Sequence, residues 1–390
     1  MNGISTNVRL IDYIATLGVI ISSGTAYFYL YHAGLTLLGF LFIAFVSFMV
    51  SKHKTISVNS FFVVYSILII INYFLYGYDM NLVGDVIFLL STLLIVSNTS
   101  YSVFKKAFLN VMVVLGIVSI VLEILYWLGF IQPFLYNTSD DLFGHYLYFF
   151  HVFGGGLWGE HNQLSGIFWE PGIYQMALNL ALIMNIDEWG FHDSKQKKYT
   201  LKLLVIGIAI ILTMSTTGYL TLGVVLIGKM LSKKGKSFAY LLLFLLVILS
   251  FLIIIKYSTV ISGKFTEENA SFVARSNDFF ALLNVISEHP FIGSGVHSKL
   301  YMSLARKYDM TGSQSAGLLL QTAQLGVFWL LSFYYSLNKE YSKRKIKINR
   351  WFYLTAISFL CIGEPLVYAP FILINVLPFK EYYPLCTKRF

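Results

Sequence analysis

Apolar runs of nearly membrane-crossing length recur along this chain from Leu10 to Phe379, with no polar domain between them. A helix needs about 20 mostly apolar residues to cross roughly 30 Å of hydrocarbon. A soluble globule would lack the polar surface to cover so many: 57% of the residues are hydrophobic, 12% are charged, and the mean hydropathy is +0.70. The bilayer is the natural solvent. The expected fold is all-α, a single polytopic integral membrane domain over residues 1–390.

Spans are expected at 10–30, 34–50, 58–76, 82–97, 107–128, 172–187, 201–215, 217–231, 238–257 and 314–337. The last apolar stretch, Trp351 to Phe379, is interrupted by Gly363-Glu364-Pro365. It reads either as one long kinked helix or as two short helices with Glu364 at a tight turn. The second option is preferred and gives about 12 transmembrane helices. The first run has no A-x-A-like cleavage site and is followed at once by another, so it is expected to be a retained helix. Cys361 and Cys386 lack any metal or disulfide spacing and are expected to be inert.

Orientation follows from basic residues, which are retained on the cytoplasmic side. With the N-terminus inside, every second connection is basic: SKHK at 51–54, KK at 105–106, KQKK at 195–198, KKGK at 233–236 and KRKIK at 343–347. Of 28 Lys and Arg, 22 fall inside, and the exceptions are Lys256, Lys264, Arg275, Lys299, Arg306 and Lys307. The net charge of +9 therefore reports membrane orientation, and no nucleic-acid partner is expected. Two outer connections, 129–171 and 258–313, are far longer than the usual few residues, and loops of that size are normally functional. Neither an internal repeat nor an inverted pair of broken helices of the transporter kind is visible.

The first outer segment contains no Lys or Arg but carries Asp140, Asp141, His145, His151, Glu160, His161 and Glu170. Acidic, aromatic and glycine-bearing, it is expected to be flexible. In Trp169-Glu170-Pro171-Gly172, Pro171 suits the first turn of a helix, and a carboxylate just before it meets the positive helix end. Glu170 is thus either a simple cap or a rigidly placed base at the outer surface. His161 is either a solvated loop histidine or a second candidate base.

In the second outer segment, Phe279, Leu282, Leu283 and Ile286 recur at helical spacing, with Ser276 or Asn277 as cap and Pro290 as stop. This predicts an amphipathic helix on the outer surface. Gly293 and Gly295 follow in a turn whose backbone N–H groups could approach a ligand closely. Arg275, Lys299, Arg306 and Lys307 flank it on the side where basic residues are least expected. They answer either to lipid headgroups or to an anionic ligand, and an arginine fork suits phosphate. No Walker-type loop or Rossmann fingerprint offers a nucleotide site.

SGIFWEPGIYQ resembles the F-x-E-P-G element of Wzy-type O-antigen polymerases, and Arg275 followed by EHPFIGSG resembles the Arg-then-P-x-x-G-x-G element shared with O-antigen ligases. The resemblance covers about 40 residues in two patches plus the expected topology. It implies a multi-pass protein of the bacterial cytoplasmic (inner) membrane whose active site faces the periplasm. There it would polymerise undecaprenyl-diphosphate-linked oligosaccharide repeat units into surface polysaccharide, by metal-independent transfer with inversion and without a cofactor. The implied partners are that lipid-linked oligosaccharide and membrane lipid, with a chain-length regulator protein as a further candidate. Glu170, Arg275, His161 and His297 are the catalytic candidates; Arg306, Lys299, Gly293, Gly295 and Trp169 are candidates for holding diphosphate and sugar; no metal ligands are expected.

Two departures stand out. Asn162, Gln163 and Leu164 occupy positions where an arginine is often found in the family. The ligase His-Asn pair is absent from GSQSAGLLLQTAQLG, so polymerase is preferred over ligase. The rival from another class is a flippase or transporter of the same lipid-linked sugars. It would keep ionisable residues along an internal path, for which Glu123 is the clearest midspan candidate, with Asp85 and Asp12 nearer span ends.

Overall fold

The computed structural model describes residues 8–26, 33–51, 54–77, 80–132, 134–136, 145–148, 151–153, 163–190, 193–231, 270–310, 316–344 and 346–380. The expected span at 238–257 lies outside them. The fold is all-α with one small sheet. The helices are α1 (Leu10–Ile21), α2 (Ala33–Val50), α3 (Ser60–Tyr76), α4 (Met80–Asn98), α5 (Tyr101–Trp127), α6 (Pro171–Asn185), α7 (Ser194–Leu212), α8 (Thr216–Leu231), α9 (Ala270–Glu288), α10 (Lys299–Lys307), α11 (Gly317–Leu325), α12 (Val327–Arg344), α13 (Arg350–Gly363) and α14 (Pro370–Val376). Among the described residues α5 alone is long and apolar enough to cross a membrane by itself, and six shorter apolar helices accompany it.

Local chemistry sets many of the starts. The side chains of Asn59, Ser100, Asp193, Ser298 and Asn349 each accept a backbone N–H from the first turn of the helix they precede. Such caps satisfy donors that the helix cannot pair itself. In the interior the ordering principle is α6, which is apolar on nearly every face and has fourteen of its fifteen residues buried. Its buried Asn179 and Asn185 donate to Gly218 O and Lys105 O on neighbouring helices, partners that lipid could not supply, and α5, α7, α8 and α13 enclose it.

Three expectations need correcting. The stretch 314–337 is not one helix: it breaks at Gly326, whose φ of +85° suits glycine, and a Cβ there would lie 2.0 Å from the Phe291 carbonyl oxygen. The first outer segment is not wholly irregular, since β1 (Phe134–Tyr136), β2 (His145–Tyr148) and β3 (His151–Val152) pair antiparallel in that order. The amphipathic helix begins before its expected cap, at Ala270, and is turned about one residue from the predicted stripe: Asp278, Ala281, Leu282 and Val285 are buried, while Phe279 and Leu283 are exposed. Leu282 and Val285 pack with the small Ala316 and Ala323 in the core shared by α9, α10 and α11, which turns this face of α9 inward. Helix α10, absent from the sequence reading, buries Tyr301 and Leu304 in the same core.

The apolar end of the chain does form two helices, and α14 has only seven residues, all buried. A turn before it, closed by Ala369 N–H donating to Leu366 O at 3.0 Å, and an extended segment after it complete its course. Glu364 stands at its entry against the start of α6, while beyond its end Lys380 N–H donates to Val96 O at 2.9 Å. Arg344 closes that far end, donating through Nη2 to Ile374 O (2.7 Å) and Leu377 O (3.1 Å). Its guanidinium lies over the rings of Tyr101 and Phe379.

The helix ends that the charge pattern assigns to the inner side converge on one acidic turn, the 3₁₀ segment Ile186–Glu188. Lys105 Nζ lies 3.1 Å from Glu188, buried Lys229 Nζ lies 3.5 Å from Asp187, and Lys347 N–H donates to Asp187 at 2.9 Å. Removing one partner of a buried pair costs more than the pair itself is worth. Asp187→Asn is therefore expected to destabilise the detergent-purified protein by about 3 kcal/mol, and Lys229→Met added to it should recover part of the loss in thermal midpoint.

Candidate functional site

The first motif enters α6 through a tightly tied segment. Gly166, at φ +59°, packs where a Cβ would meet the Tyr174 ring at 2.9 Å. Its carbonyl accepts Val152 N–H at 2.7 Å, and Ala26 N–H donates to Ile167 O at 2.9 Å. Phe168 is buried and stacks on Tyr174. Trp169 is half-buried beside Ala26 and Val152.

Glu170 is then the residue before the first helical turn, with extended backbone (φ −151°, ψ 157°), and Pro171 follows it at the helix start. Its side chain does not cap the helix. Half-buried, the carboxylate makes no hydrogen bond or ion pair among the described residues. A carboxylate in that place is favoured by the positive helix end while keeping its acceptor capacity unused.

A second carboxylate, unforeseen in the sequence, occupies the same helix start. Glu364 is buried, and its Oε1 would lie 1.9 Å from a Cβ placed on Gly172. Its backbone also packs on Gly317, where a Cβ would lie 2.1 Å from Glu364 O. Glu364 therefore joins the start of α6 to the start of α11, and α11 packs against α9, which carries Arg275. Through Glu364 and α11 together the two motif-bearing segments are linked. The hint in the sequence was the recurrence of Glu-Pro next to a glycine, at 170–172 and again at 363–365.

The glycine turn departs from its expected role. Gly293 (φ +72°) and Gly295 (φ +93°) lie against protein. A Cβ on Gly293 would stand 2.3 Å from the backbone of Gln324, and one on Gly295 would stand 2.5 Å from the Tyr76 ring. Ser294 N–H donates to Ala323 O (2.9 Å), Gly295 N–H to Gln324 O (3.0 Å) and Val296 N–H to Asn72 Oδ1 (2.9 Å). The turn thus satisfies carbonyls at the end of α11 that the helix leaves unpaired. Val327 N–H in turn donates to Pro290 O at 2.7 Å. Gly293 and Gly295 serve this crossing, and the expected phosphate cradle built on their neighbouring N–H groups is not formed.

The remaining candidates are scattered around that turn. His297 has φ +47° and is half-buried, with its ring edge toward Tyr301. Lys299 opens α10 and Arg306 lies in its last turn, both exposed. Lys307 is engaged by Glu288, which also accepts from Tyr308 OH. Arg275 lies in α9 with its side chain outside the described residues, and His161 is outside them altogether. No metal-binding cluster occurs among the described residues.

Glu123, considered above as a midspan charge, lies one turn from the end of α5 and faces His151 of β3, Oε1 to Nε2 at 3.4 Å. It therefore belongs with the first outer segment. Comparison with known proteins finds no family model, no curated protein and no solved structure that matches the chain.

Two predictions follow from this geometry. Gly172→Ala should destabilise the start of α6 strongly, with Glu364→Ala relieving the clash; Gly293→Ala, which meets backbone, should find no such rescue. Thermal midpoints of the four variants check both. The second concerns pH. Hydrogen bonds from Lys307 and Tyr308 hold Glu288 below the usual carboxylate range, and the Glu288 bond likewise raises Lys307. Because the folded carboxylate is the more acidic, its contribution is complete above the ordinary range and fades as pH falls through the lowered value. The Lys307 contribution fades only as pH rises beyond the ordinary lysine range. In low salt, the small difference in thermal midpoint between the native chain and Glu288→Gln should be present at neutral pH and vanish on acidification.

Proposed function

We propose that this chain is a polytopic membrane glycosyltransferase that extends lipid-diphosphate-linked oligosaccharides at the outer end of its helix bundle. The observation that carries the reading is the Glu170 carboxylate, rigidly set before Pro171 at the start of the enclosed helix α6 and bonded to nothing described. It stands in the F-W-E-P-G element that resembles Wzy-type polymerases.

Glu170 accepts the proton of an acceptor hydroxyl. That oxygen attacks the anomeric carbon of the donor sugar, and the bond to the lipid diphosphate breaks with the electron pair leaving on the diphosphate. Cations near the leaving group lower the barrier by meeting the charge as it develops. Arg275, Lys299 and Arg306 supply them, each within the segment that α9 and α10 organise. His161 and His297 stand behind Glu170 as alternative bases.

Twelve crossings remain the reading of the spans. The last of them runs through α14 and its non-helical flanks, and such backbone is tolerable at that depth because it is largely buried in protein. A flippase is less favoured, since Glu123 is engaged by an outer-segment histidine and does not stand along a central path.

Glu170→Gln and Arg275→Ala are each expected to abolish polymer at normal expression. The direct test supplies purified protein in detergent with a lipid-linked repeat unit: longer products, with no membrane to cross, require catalysis. A normal ladder of chain lengths from both variants would remove the assignment.

A further inference from the structure

The buried pair between α5 and β3 points to a second feature of the outer end. Both carboxylate oxygens of Glu123 and both ring nitrogens of His151 are buried, and none makes a hydrogen bond among the described residues. Gln163 Nε2 and Ser165 Oγ, on either side of Leu164 in the chain, are likewise buried and make no hydrogen bond among the described residues. Folded interiors leave few polar atoms in that condition, because their desolvation is uncompensated. Glu123 and Leu164 both line a small cavity whose other walls are Ile120, Ile124, Trp127 and Leu212.

We infer that this cavity is a subsite for the hydroxyl-bearing edge of a sugar. Glu123 supplies the polar wall of the cavity: its carboxylate accepts from hydroxyl groups, with His151 Nε2 at 3.4 Å from its Oε1. The largely exposed Trp127 indole beside them offers a flat apolar surface for the C–H face of a ring. The cavity admits one small polar group and not a whole ring, so a hydroxyl enters while the ring lies across Trp127. A phosphate does not belong there: the Glu123 carboxylate repels it, and the diphosphate must sit toward the cations of α9 and α10.

The subsite is tied to the candidate catalytic segment. Val152, next to His151, donates to Gly166 O, and Leu164 N–H donates to Leu212 O at 3.0 Å. The same stretch of chain then runs on to Glu170. In the transfer the subsite seats a sugar beside that carboxylate; this role rests on the polymerase reading, whereas sugar binding itself does not.

The experiment is saturation-transfer NMR on the full chain in detergent, with methyl glycosides of hexoses and N-acetylhexosamines as probes. Transfer is expected in the native chain, with binding at least about tenfold weaker in Glu123→Gln. Leu212→Phe, which fills the cavity without touching the pair, should lose binding as well and decides the matter alone if Glu123→Gln folds poorly. Sodium pyrophosphate should not compete. Equal transfer in all three proteins, no transfer in the native chain, or displacement by pyrophosphate would overturn the subsite. Failure of the native chain to extend a lipid-linked repeat would instead count against the polymerase reading and leave these binding results standing.

Discussion

Enclosing α6 is the constraint on which the rest of the structure depends. Fourteen of its residues are buried, Gln175, Asn179 and Asn185 among them, and lipid could not satisfy those amides, so α5, α7, α8 and α13 close around it. Enclosure also fixes what happens at its two ends, where unpaired backbone groups and the helix dipole demand charge. At one end stand Glu170 and Glu364. At the other, the acidic turn at Asp187 and Glu188 gathers Lys105, Lys229 and the backbone of Lys347. The charged groups at both ends of α6 are thus placed by the same burial that holds the bundle together.

The helices themselves were legible because burial and lipid contact both write long apolar runs. Spans near α2, α3, α4, α6, α7 and α8 are recognisable from runs and caps alone. What could not be read was any contact between segments distant in the chain. Gly326 lies in a stretch whose helical pattern resumes at once in VFWLL, and the approach of Phe291 to its backbone explains why the helix stops there. Helix α9 was placed, but which of its faces turned inward depended on α11, whose packing the periodicity of α9 cannot contain.

The site divides in the same way. Glu170 announced itself through Pro171 and Gly172, which are local signs of a helix start. Glu364 and His151 did not, because each matters through a partner on another element: Gly172 for one, Glu123 for the other. Glycines misled most. A glycine pair beside basic residues is compatible both with a ligand approaching backbone and with backbone approaching backbone, and composition does not separate the two. At Gly293 and Gly295 the second holds.

That crossing, where the turn after α9 lies across the interruption between α11 and α12, leaves little for evolution to exchange. Side-chain contacts can drift, one partner growing as the other shrinks, but two main chains in contact have no such currency. Divergent descendants of the same ancestor could therefore replace almost every apolar residue of the bundle and still need glycine at both 293 and 326. A pair of glycines separated by the length of α10 and α11, following Glu-Pro at the head of a buried, mostly apolar helix, is the signature by which distant kin of this chain can be sought when overall sequence similarity has faded.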